Sequence, residues 1–351
     1  PGPYAYAAPN GAPMSFADLI DQVSPAVVSI EARGVREQPE MPDLSQMPPQ
    51  FREFFERFGG LPGQQSPRQR RSQGSGFFVS AEGLVVTNNH VIEGADEIQV
   101  GLADGRSLSA EVIGTDTPTD LALLRVTEGD GPFDFVELDR DLDIRVGDWV
   151  VAVGNPFGLG GTATAGIVSA SGRQMGPQQA YTDFLQIDAP INRGNSGGPT
   201  FDLNGNVVGV NSAIISPTGG NVGIGFAIPS DLAAQVIDQL IETGSVRRGY
   251  LGVAPSDLTA DLKEAMGLDA DVEGVLINQV IADTPAASGG FENGDIVLEI
   301  NGRSVSDARE LTRRVGAVPP GETVRFTVLR DGRERTLRVE LAERPGEEAP
   351  Q

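Results

Sequence analysis

The segment from residue 191 to residue 200 reads INRGNSGGPT and places one serine, Ser196, among glycines. Glycine lets the backbone turn sharply, so a side chain in such a segment can be exposed while neighbouring amides converge on one point. A nucleophilic serine needs this exposure, amide donors for an oxyanion, and a base within hydrogen-bond reach. The alternative is an ordinary glycine-rich turn without chemistry. The position of a base therefore decides between the two interpretations.

The chain contains one histidine, His90, in the stretch TNNHVIEGA (87–95). A lone histidine is by default a surface residue or a satisfied core side chain, but its position separates several classes of hydrolase. The Gly-x-Ser-x-Gly elbow of α/β-hydrolases is followed along the chain by an acid and a histidine, and no histidine follows Ser196. A subtilisin-like order would need an acid before His90, for which Asp21 is available, but on an α/β fold.

The chymotrypsin-like order requires an acid between the histidine and the serine. The stretch TPTDLALLRV (117–126) offers Asp120 at the start of an apolar strand. A carboxylate there would be partly buried and would need a partner such as an imidazole N–H. Asp104 and Asp116 are rivals, but both lie in polar turns and have less reason to be buried. We therefore predict Asp120 as the partner of the imidazole.

Short β-type runs separated by Gly, Asn and Asp fill the chain to about residue 228 and favour an antiparallel barrel or sandwich. Examples are AVVSIEA (26–32), GSGFFVS (74–80), GLVVTNN (83–89), LALLRV (121–126), DWVVAVG (148–154) and NVVGVNSAII (206–215). One helix follows, DLAAQVIDQLIET, with Ser230 as its predicted N-cap and Gly244 as its predicted C-cap. An all-β region argues against the subtilisin-like and α/β-hydrolase folds.

The pattern restarts at a smaller scale from about residue 247 to residue 342. Strands are predicted for YLGVAP, GVLINQVI, DIVLEING and TVRFTVLRDGRERTLRVEL, the last containing an Asp-Gly hairpin signal. The stretch SDARELTRRVG (306–316) predicts a helix with Ser306 as its cap. The polar end, AERPGEEAPQ, is typical of a disordered tail.

A long insertion interrupts the first set of strands between residues 34 and 73 and is rich in Pro, Gln and Arg. A loop of this length inside a compact domain is usually functional or disordered. It contains four phenylalanines spaced along one face of a short helix, namely Phe51, Phe54, Phe55 and Phe58. Local packing of these rings and a partner-binding patch are both open interpretations.

Composition excludes several functions. Hydrophobic residues make up 39% of the 351 residues and charged residues 21%, which is typical of globular proteins. The net charge of −23 argues against binding to nucleic acid or an anionic membrane. The chain has no cysteine and only one histidine, so we expect no disulfide, no metal site and no cofactor. The chain begins PGPYAYAAPNGAP, without Met, which predicts that a signal peptide has been removed.

Several motifs together resemble the HtrA (Deg) family of serine proteases. In the first part these are TNNHVI, TDLALLRV, GNPFG, INRGNSGGP and GNVGIGFAIP; in the second, GYLGV and GDIVLEINGRSVSDARELTRRV are similar to the PDZ domain of that family. The resemblance covers roughly residues 15 to 342. It departs from the family at Pro199-Thr200, where an aliphatic residue often follows the glycines, and in ending after one PDZ domain where some members have two.

The resemblance implies a mostly β protein, with a chymotrypsin-like double β-barrel protease domain followed by a smaller α+β PDZ domain. The expected division is an N-terminal extension (1–14), a protease domain (15–244) with a regulatory loop (34–73), a linker (245–249), a PDZ domain (250–342) and a disordered tail (343–351).

The residues that match the family motifs acquire expected roles. His90 would take the proton of Ser196 and pass it to the leaving amine, while Asp120 would hold the imidazole. The oxyanion hole would comprise the amides of Gly194 and Ser196, with Asn195 between them. The specificity pocket is expected at Ile191, Ser212, Ala213, Ile214 and Ile215, where the absence of an acid favours small or medium aliphatic side chains. The peptide carboxylate loop is expected at Tyr250, Leu251, Gly252 and Val253.

The implied function is that of a serine endopeptidase that degrades unfolded or misfolded proteins in the periplasm, in protein quality control and the stress response. The resemblance also implies PDZ binding of free, apolar C-termini and a homo-oligomer, either a trimer or a multiple of trimers, formed through N-terminal aromatics such as Tyr4, Tyr6 or Phe16. Two alternatives are a catalytically silent chaperone-like protein, which the intact His90, Asp120 and Ser196 argue against, and an oligomeric scaffold assembled through the Phe-rich insertion.

Overall fold

The computed structural model describes residues 15–35, 69–129, 131–158, 161–173, 181–192, 194–214, 221–269 and 271–344. The predicted N-terminal extension, the four phenylalanines of the insertion and residues 345–351 lie outside this range. The described residues form two closed barrels of six strands each, followed by a smaller domain built on a six-stranded sheet. The predicted fold class, a double β-barrel followed by an α+β domain, is confirmed.

The first barrel follows the short helix α1 (Ala17–Val23). Its strands are β1 (Val27–Val35), β2 (Gln69–Phe78), β3 (Leu84–Asn88), β4 (Glu97–Gly101), β5 (Ser107–Asp116) and β6 (Leu121–Val126). They pair in the order β1-β2-β3-β6-β5-β4, and a short helix, α2 (Asn89–Ile92), follows β3 directly. Strand β6 coincides with the predicted run LALLRV, in which only Arg125 is exposed, as expected of a strand buried on both faces.

The second barrel repeats this architecture. Its strands are β7 (Trp149–Gly154), β8 (Thr162–Arg173), β9 (Phe184–Ile187), β10 (Pro199–Phe201), β11 (Val207–Ile214) and β12 (Gly225–Pro229), in the order β10-β11-β12-β9-β8-β7. The segment that contains Ser196 joins β9 to β10. Because His90 follows a strand of the first barrel, the histidine and the serine come from different barrels.

One hydrophobic core links the two barrels with the helix α3 (Ser230–Thr243). Phe77 of the first barrel and Phe184 of the second are both fully buried in it. Helix α3 contributes Ala233, Ile237 and Leu240, which recur at helical spacing on its buried face. This shared core fixes the two barrels against each other, and it therefore fixes the residues that lie between them.

The smaller domain begins at β13 (Gly249–Tyr250). It continues with β14 (Val253–Asp257), α4 (Ala260–Met266), β15 (Val275–Val280), α5 (Pro285–Ser288), β16 (Ile296–Ile300), β17 (Arg303–Ser304), α6 (Ala308–Gly316), β18 (Thr323–Arg330), β19 (Arg333–Glu340) and β20 (Ala342–Glu343). The main sheet has the order β14-β15-β16-β18-β19, with β17 paired to β16 as its sixth strand, and β13 pairs separately with β20. Its own core is centred on Phe291 and Phe326. No helix in the described part of the chain is long and apolar enough to cross a membrane.

Two predicted N-caps are wrong. Helix α3 begins at Ser230 itself, whose hydroxyl is buried and makes no hydrogen bond within the described residues. Helix α6 is capped by Asp307, whose carboxylate accepts the Glu310 N–H at 2.8 Å, rather than by Ser306. The predicted C-cap of α3 is confirmed, because Gly244 adopts the left-handed conformation with a φ of 73°.

The predicted ends of the insertion and of the tail need correction. Strand β1 runs to Val35 and β2 starts at Gln69, so both ends of the predicted loop lie within paired strands. Glu343 pairs with Gly249 in β20, which places the start of the predicted disordered tail in a strand. A hydrogen bond from Arg247 lowers the pKa of the Glu343 carboxyl at the same junction. The exact domain limits otherwise stay a prediction.

Candidate active site

Helix α2 carries His90 at the junction of the two barrels. Its ring nitrogen Nδ1 lies 2.7 Å from Asp120 Oδ2, and its backbone N–H donates to Asp120 Oδ1 at 2.9 Å. The histidine side chain is 47% exposed, whereas that of the aspartate is only 13% exposed. One carboxylate thus binds both the ring and the backbone of the histidine, and the contact to the ring uses Nδ1 rather than Nε2.

Asp120 occupies the turn between β5 and β6 with a φ of 60°. Few residues other than glycine tolerate this left-handed conformation, but aspartate is among them. Its backbone carbonyl accepts the Asn88 side-chain amide at 2.9 Å and the Asn89 N–H at 3.1 Å. The hydroxyl of Ser212 donates to Asp120 Oδ2 at 3.0 Å. The predicted pairing of Asp120 with His90 is therefore present in the structure. Hydrogen bonds from Asn88, Asn89 and Ser212 fix the position of Asp120.

The loop that contains Ser196 is held against the first barrel by Ser75. The Ser75 N–H donates to the Ser196 carbonyl at 2.8 Å, and the Ser75 hydroxyl donates to the Gly194 carbonyl at 2.5 Å. Gly197, with a φ of 84°, is packed so closely that a Cβ there would lie 2.4 Å from the Thr87 hydroxyl. Thr87 belongs to β3, the strand that leads to the histidine. The structure thus packs the serine loop against the strand that leads to the histidine, and no hydrogen bond joins the Ser196 and His90 side chains among the described residues.

The amides around Ser196 differ in what they contact. The Asn195 N–H donates to the Asn192 carbonyl at 3.0 Å, and the residue is buried. The amides of Gly194 and Ser196 have no acceptor among the residues that the structure describes. These two amides flank a residue whose own amide is engaged, and they are the pair expected for an oxyanion hole.

The residues predicted for the specificity pocket are only partly described. Ile191 is 1% exposed, and its carbonyl accepts the Asn221 side-chain amide at 3.1 Å. Ser212 directs its hydroxyl to Asp120, a contact that sequence reasoning missed because the two residues are 92 positions apart. Ala213 and Ile214 lie in β11 without described side chains, and Ile215 lies outside the described residues. The pocket as a whole stays a prediction.

The expectation that Asp116 has less reason to be buried is wrong. Its side chain is 3% exposed and accepts two hydrogen bonds from Arg248, at 2.6 and 2.7 Å. The partner lies 132 positions away, so no local pattern could have revealed it. Asp104, the other rival, is exposed and pairs with its neighbour Arg106. Neither of these carboxylates is hydrogen-bonded to the histidine.

The predicted carboxylate loop, Tyr250 to Val253, lines a groove of about 240 Å³. Leu311, Thr312 and Val315 of α6 line its opposite wall. Gly252 has a φ of 86°, and a Cβ there would lie 2.2 Å from Thr284, so the turn requires glycine. Strand β14 is an edge strand of the sheet, which leaves room for an extended peptide to pair beside it.

Tyr181 of the second barrel and Arg344, which follows β20, also line the groove. A larger cavity of about 580 Å³ lies against α3 and the segment 135–140, and its lining does not include His90, Asp120 or Ser196. The described residues contain no cluster of carboxylates and histidine suited to a metal ion.

Comparison with known families matches the two parts of the chain separately. Residues 74–210 match the trypsin-like peptidase domain, and residues 249–341 match the PDZ domain. A probable periplasmic serine endoprotease of the DegP-like type from Bartonella henselae is 47% identical over 350 residues, covering 95% of this chain and 69% of the relative. The chain belongs to the HtrA family of serine proteases. It is a serine endopeptidase that carries a PDZ domain.

Other proteases that are similar to this HtrA-family chain support the same assignment. A DegP-like endoprotease of Rhizobium meliloti is 44% identical, covering 95% of this chain and 70% of the relative. The solved structure of the HtrA-type protease AlgW with a decapeptide superposes with a TM-score of 0.76 at 40% identity, covering 95% of this chain and 99% of that one. A serine endoprotease from Yersinia pestis gives a TM-score of 0.66 at 31% identity, covering 95% and 99%.

Proposed function

We propose that His90, Asp120 and Ser196 form the catalytic triad of this endopeptidase. The observation that carries the proposal is the contact of 2.7 Å between His90 Nδ1 and Asp120 Oδ2. The other oxygen of the same carboxylate accepts the histidine backbone N–H. An imidazole that donates its Nδ1–H to a carboxylate leaves Nε2 free to accept a proton. The serine loop, held to β2 by Ser75, would supply the hydroxyl whose proton Nε2 accepts.

In the proposed mechanism Ser196 attacks the carbonyl carbon of the scissile peptide bond while His90 takes the hydroxyl proton. The amides of Gly194 and Ser196 stabilise the oxyanion, and the left-handed φ of 102° at Gly194 orients the first of them. His90 then delivers the proton to the amide nitrogen as the C–N bond breaks, so the amine leaves and an acyl-enzyme on Ser196 remains. Asp120 stays ionised and stabilises the imidazolium. Water repeats the sequence on the acyl-enzyme and releases the second product.

The substrates we propose are unfolded or misfolded proteins in the periplasm, where the DegP-like relatives are named as periplasmic endoproteases. The PDZ groove would bind a free, apolar peptide C-terminus at Tyr250 to Val253, since β14 is an edge strand.

The proposed oligomer is a trimer or a multiple of trimers. Phe16 packs on Trp149 of the same chain at a centroid distance of 5.8 Å, and the 38% exposure of Trp149 leaves aromatic surface that a neighbouring chain could cover. Tyr4 and Tyr6 lie outside the described residues.

A degradation assay tests this function. The purified chain should degrade reduced, unfolded casein, whereas Ser196→Ala should leave casein intact with unchanged circular dichroism and unchanged oligomer size. The serine hydroxyl makes no hydrogen bond within the described residues, so its removal should not disturb the fold. Circular dichroism separates a loss of the nucleophile from a loss of the fold in Ser196→Ala. Casein degradation by Ser196→Ala at the wild-type rate would contradict the proposal.

A further inference from the structure

Arg248, at the junction between the protease and PDZ domains, forms a buried ion pair with the first barrel. Its two terminal nitrogens donate to Asp116 Oδ1 at 2.6 Å and Oδ2 at 2.7 Å. The arginine side chain is 5% exposed and the aspartate 3% exposed, so water competes little with this pair. Two parallel hydrogen bonds between planar groups fix orientation as well as distance.

The same carboxylate organises the turn that leads to Asp120. The Thr119 N–H donates to Asp116 Oδ2 at 3.2 Å, and the Thr119 hydroxyl donates to the same oxygen. The turn is closed by the Asp120 N–H, which donates to the Thr117 carbonyl at 3.2 Å. Asp116 is thus bound on one side by the interdomain arginine and on the other by the residue that precedes Asp120.

The turn from Asp116 to Asp120 contains a strained residue that the Asp116 hydrogen bonds can stabilise. Asp120 is held in a left-handed conformation, which persists only when the surroundings enforce it. Its carboxylate must meet the imidazole at 2.7 Å, and a displacement of about 1 Å at a catalytic group can cost about 10²-fold in rate. The guanidinium of Arg248 is itself oriented, because its central carbon lies 4.6 Å from the centroid of the Tyr181 ring in the second barrel.

We propose that Arg248 is a positioning residue for catalysis: through Asp116 it holds the turn that presents Asp120 to His90. The inference rests on the proposed triad. Arg248 touches no reacting atom, and it acts through two intermediate residues, Asp116 and Thr119. The protease domain therefore obtains part of the support for its catalytic acid from the first residues of the segment that leads into the PDZ domain.

Two substitutions test this in the full chain, Asp116→Asn and Arg248→Lys. Asp116→Asn retains the size of the buried group and Arg248→Lys retains its charge, but each loses the paired geometry between a carboxylate and a guanidinium. We expect each to lower kcat for a short peptide by about 10- to 100-fold, with KM changed less than about twofold, because the substrate-binding surface is untouched. Because Arg248→Lys keeps a positive charge beside the buried Asp116 carboxylate, it is the variant whose kcat is compared with wild type if Asp116→Asn does not fold.

The chain offers two matched controls. Asp295→Asn breaks a second buried ion pair, in which Arg330 donates to Asp295 at 2.6 and 2.7 Å within the PDZ domain. Arg247→Lys alters the neighbouring arginine, whose side chain is 56% exposed and pairs with Glu343. Asp295→Asn should lower the melting temperature without slowing chemistry, and Arg247→Lys should change neither.

The decisive readout is the rate at which a fluorophosphonate labels Ser196, measured well below the melting temperature of every variant. Slower labelling in Asp116→Asn and Arg248→Lys, but not in Asp295→Asn, would support the proposal. Labelling of the first two at the rate of Asp295→Asn would overturn it and leave the ion pair a structural contact only. An Asp120→Asn variant that hydrolyses peptide at the wild-type rate would instead contradict the proposed triad, so the two failures are distinguishable.

Discussion

Gly197 shows how little space surrounds the proposed nucleophile. Its N–H donates to the Asn211 carbonyl at 2.7 Å. A Cβ at this position would lie 2.3 Å from the Ser75 carbonyl and 2.4 Å from the Thr87 hydroxyl, both in the first barrel. The φ of 84° is also one that side chains with a Cβ rarely adopt. The residue after Ser196 therefore has to be glycine for two separate reasons, conformation and space.

A pair of substitutions separates these reasons. Gly105→Ala introduces a Cβ at a similar φ of 87° with nothing within 4 Å, so it should cost only the conformational strain, about 1 kcal/mol of unfolding free energy. Gly197→Ala should cost several kcal/mol more, because backbone atoms must move, and should abolish peptide hydrolysis. Denaturant unfolding and a peptide assay measure both effects. Equal destabilisation by the two variants would contradict the close packing of the serine loop.

The residues of the site differ in how far the sequence could predict them. His90 and Asp120 could be paired because only one histidine exists and Asp120 begins an apolar strand between it and Ser196. Ser212 and Arg248 could not be assigned to their carboxylates. Their partners lie 92 and 132 positions away, and no periodicity or motif connects them. Such contacts depend on the packing of one barrel, or one domain, against another.

At the scale of the element, strands were predictable where burial decides the pattern. LALLRV is strand β6 without any shift, because continuous apolar runs flanked by turns are typical of buried strands. YLGVAP, by contrast, was predicted as one strand and is divided into β13 and β14. The break occurs at Gly252, which has a φ of 86° and packs so closely on Thr284 that a Cβ would lie 2.2 Å from it. A tertiary contact of this kind leaves no signal in a short stretch of sequence.

Helix ends show the same limit. A serine before an apolar helix predicts an N-cap, but Ser306 is followed by Asp307, and the carboxylate caps α6. The N–H and the hydroxyl of Ser306 instead donate to the Glu310 carboxylate, at 2.8 and 2.9 Å. Two adjacent residues can both serve as caps, and local propensity does not choose between them. Burial of one face of the helix fixes where it starts.

At the scale of the whole molecule, the protease and PDZ domains share the rim of one groove. Tyr181 of the second barrel lines it together with Tyr250 and Arg344, and the Arg344 guanidinium donates to the Tyr181 hydroxyl. The same tyrosine ring packs against Gly316 at the end of α6, where a Cβ would lie 2.5 Å from it. A peptide in the groove would therefore be adjacent to the segment that enters β9.

This arrangement predicts how peptides act on the enzyme. A peptide with a free, apolar C-terminus should bind at Tyr250 to Val253, and amidation should weaken binding by about 1.5–3 kcal/mol, as expected for loss of a charged acceptor. If binding biases the protease toward its competent state by about 1–3 kcal/mol, turnover of a separate reporter should rise about 5- to 150-fold. Calorimetry and a reporter assay measure the two quantities on the same peptides.

The two parts of this prediction have separate contradictions. Equal affinity for the acid and amide forms would exclude a carboxylate-binding role for the loop from Tyr250 to Val253. Tight binding of the free acid without any change in reporter turnover would make the PDZ domain a tether that gathers substrates. The allosteric part of the prediction would then be withdrawn, while the binding site would stand.

Covalent labelling followed by peptide mapping tests the central claim, that Ser196 is the nucleophile activated by His90 and Asp120, most directly. A fluorophosphonate should add once per chain, and mass spectrometry should locate the adduct on Ser196. The adduct should be absent in Ser196→Ala and should form orders of magnitude more slowly in His90→Ala and Asp120→Asn, because the three residues act as one unit. An adduct on another residue, or wild-type labelling of Ser196 in His90→Ala, would contradict this account.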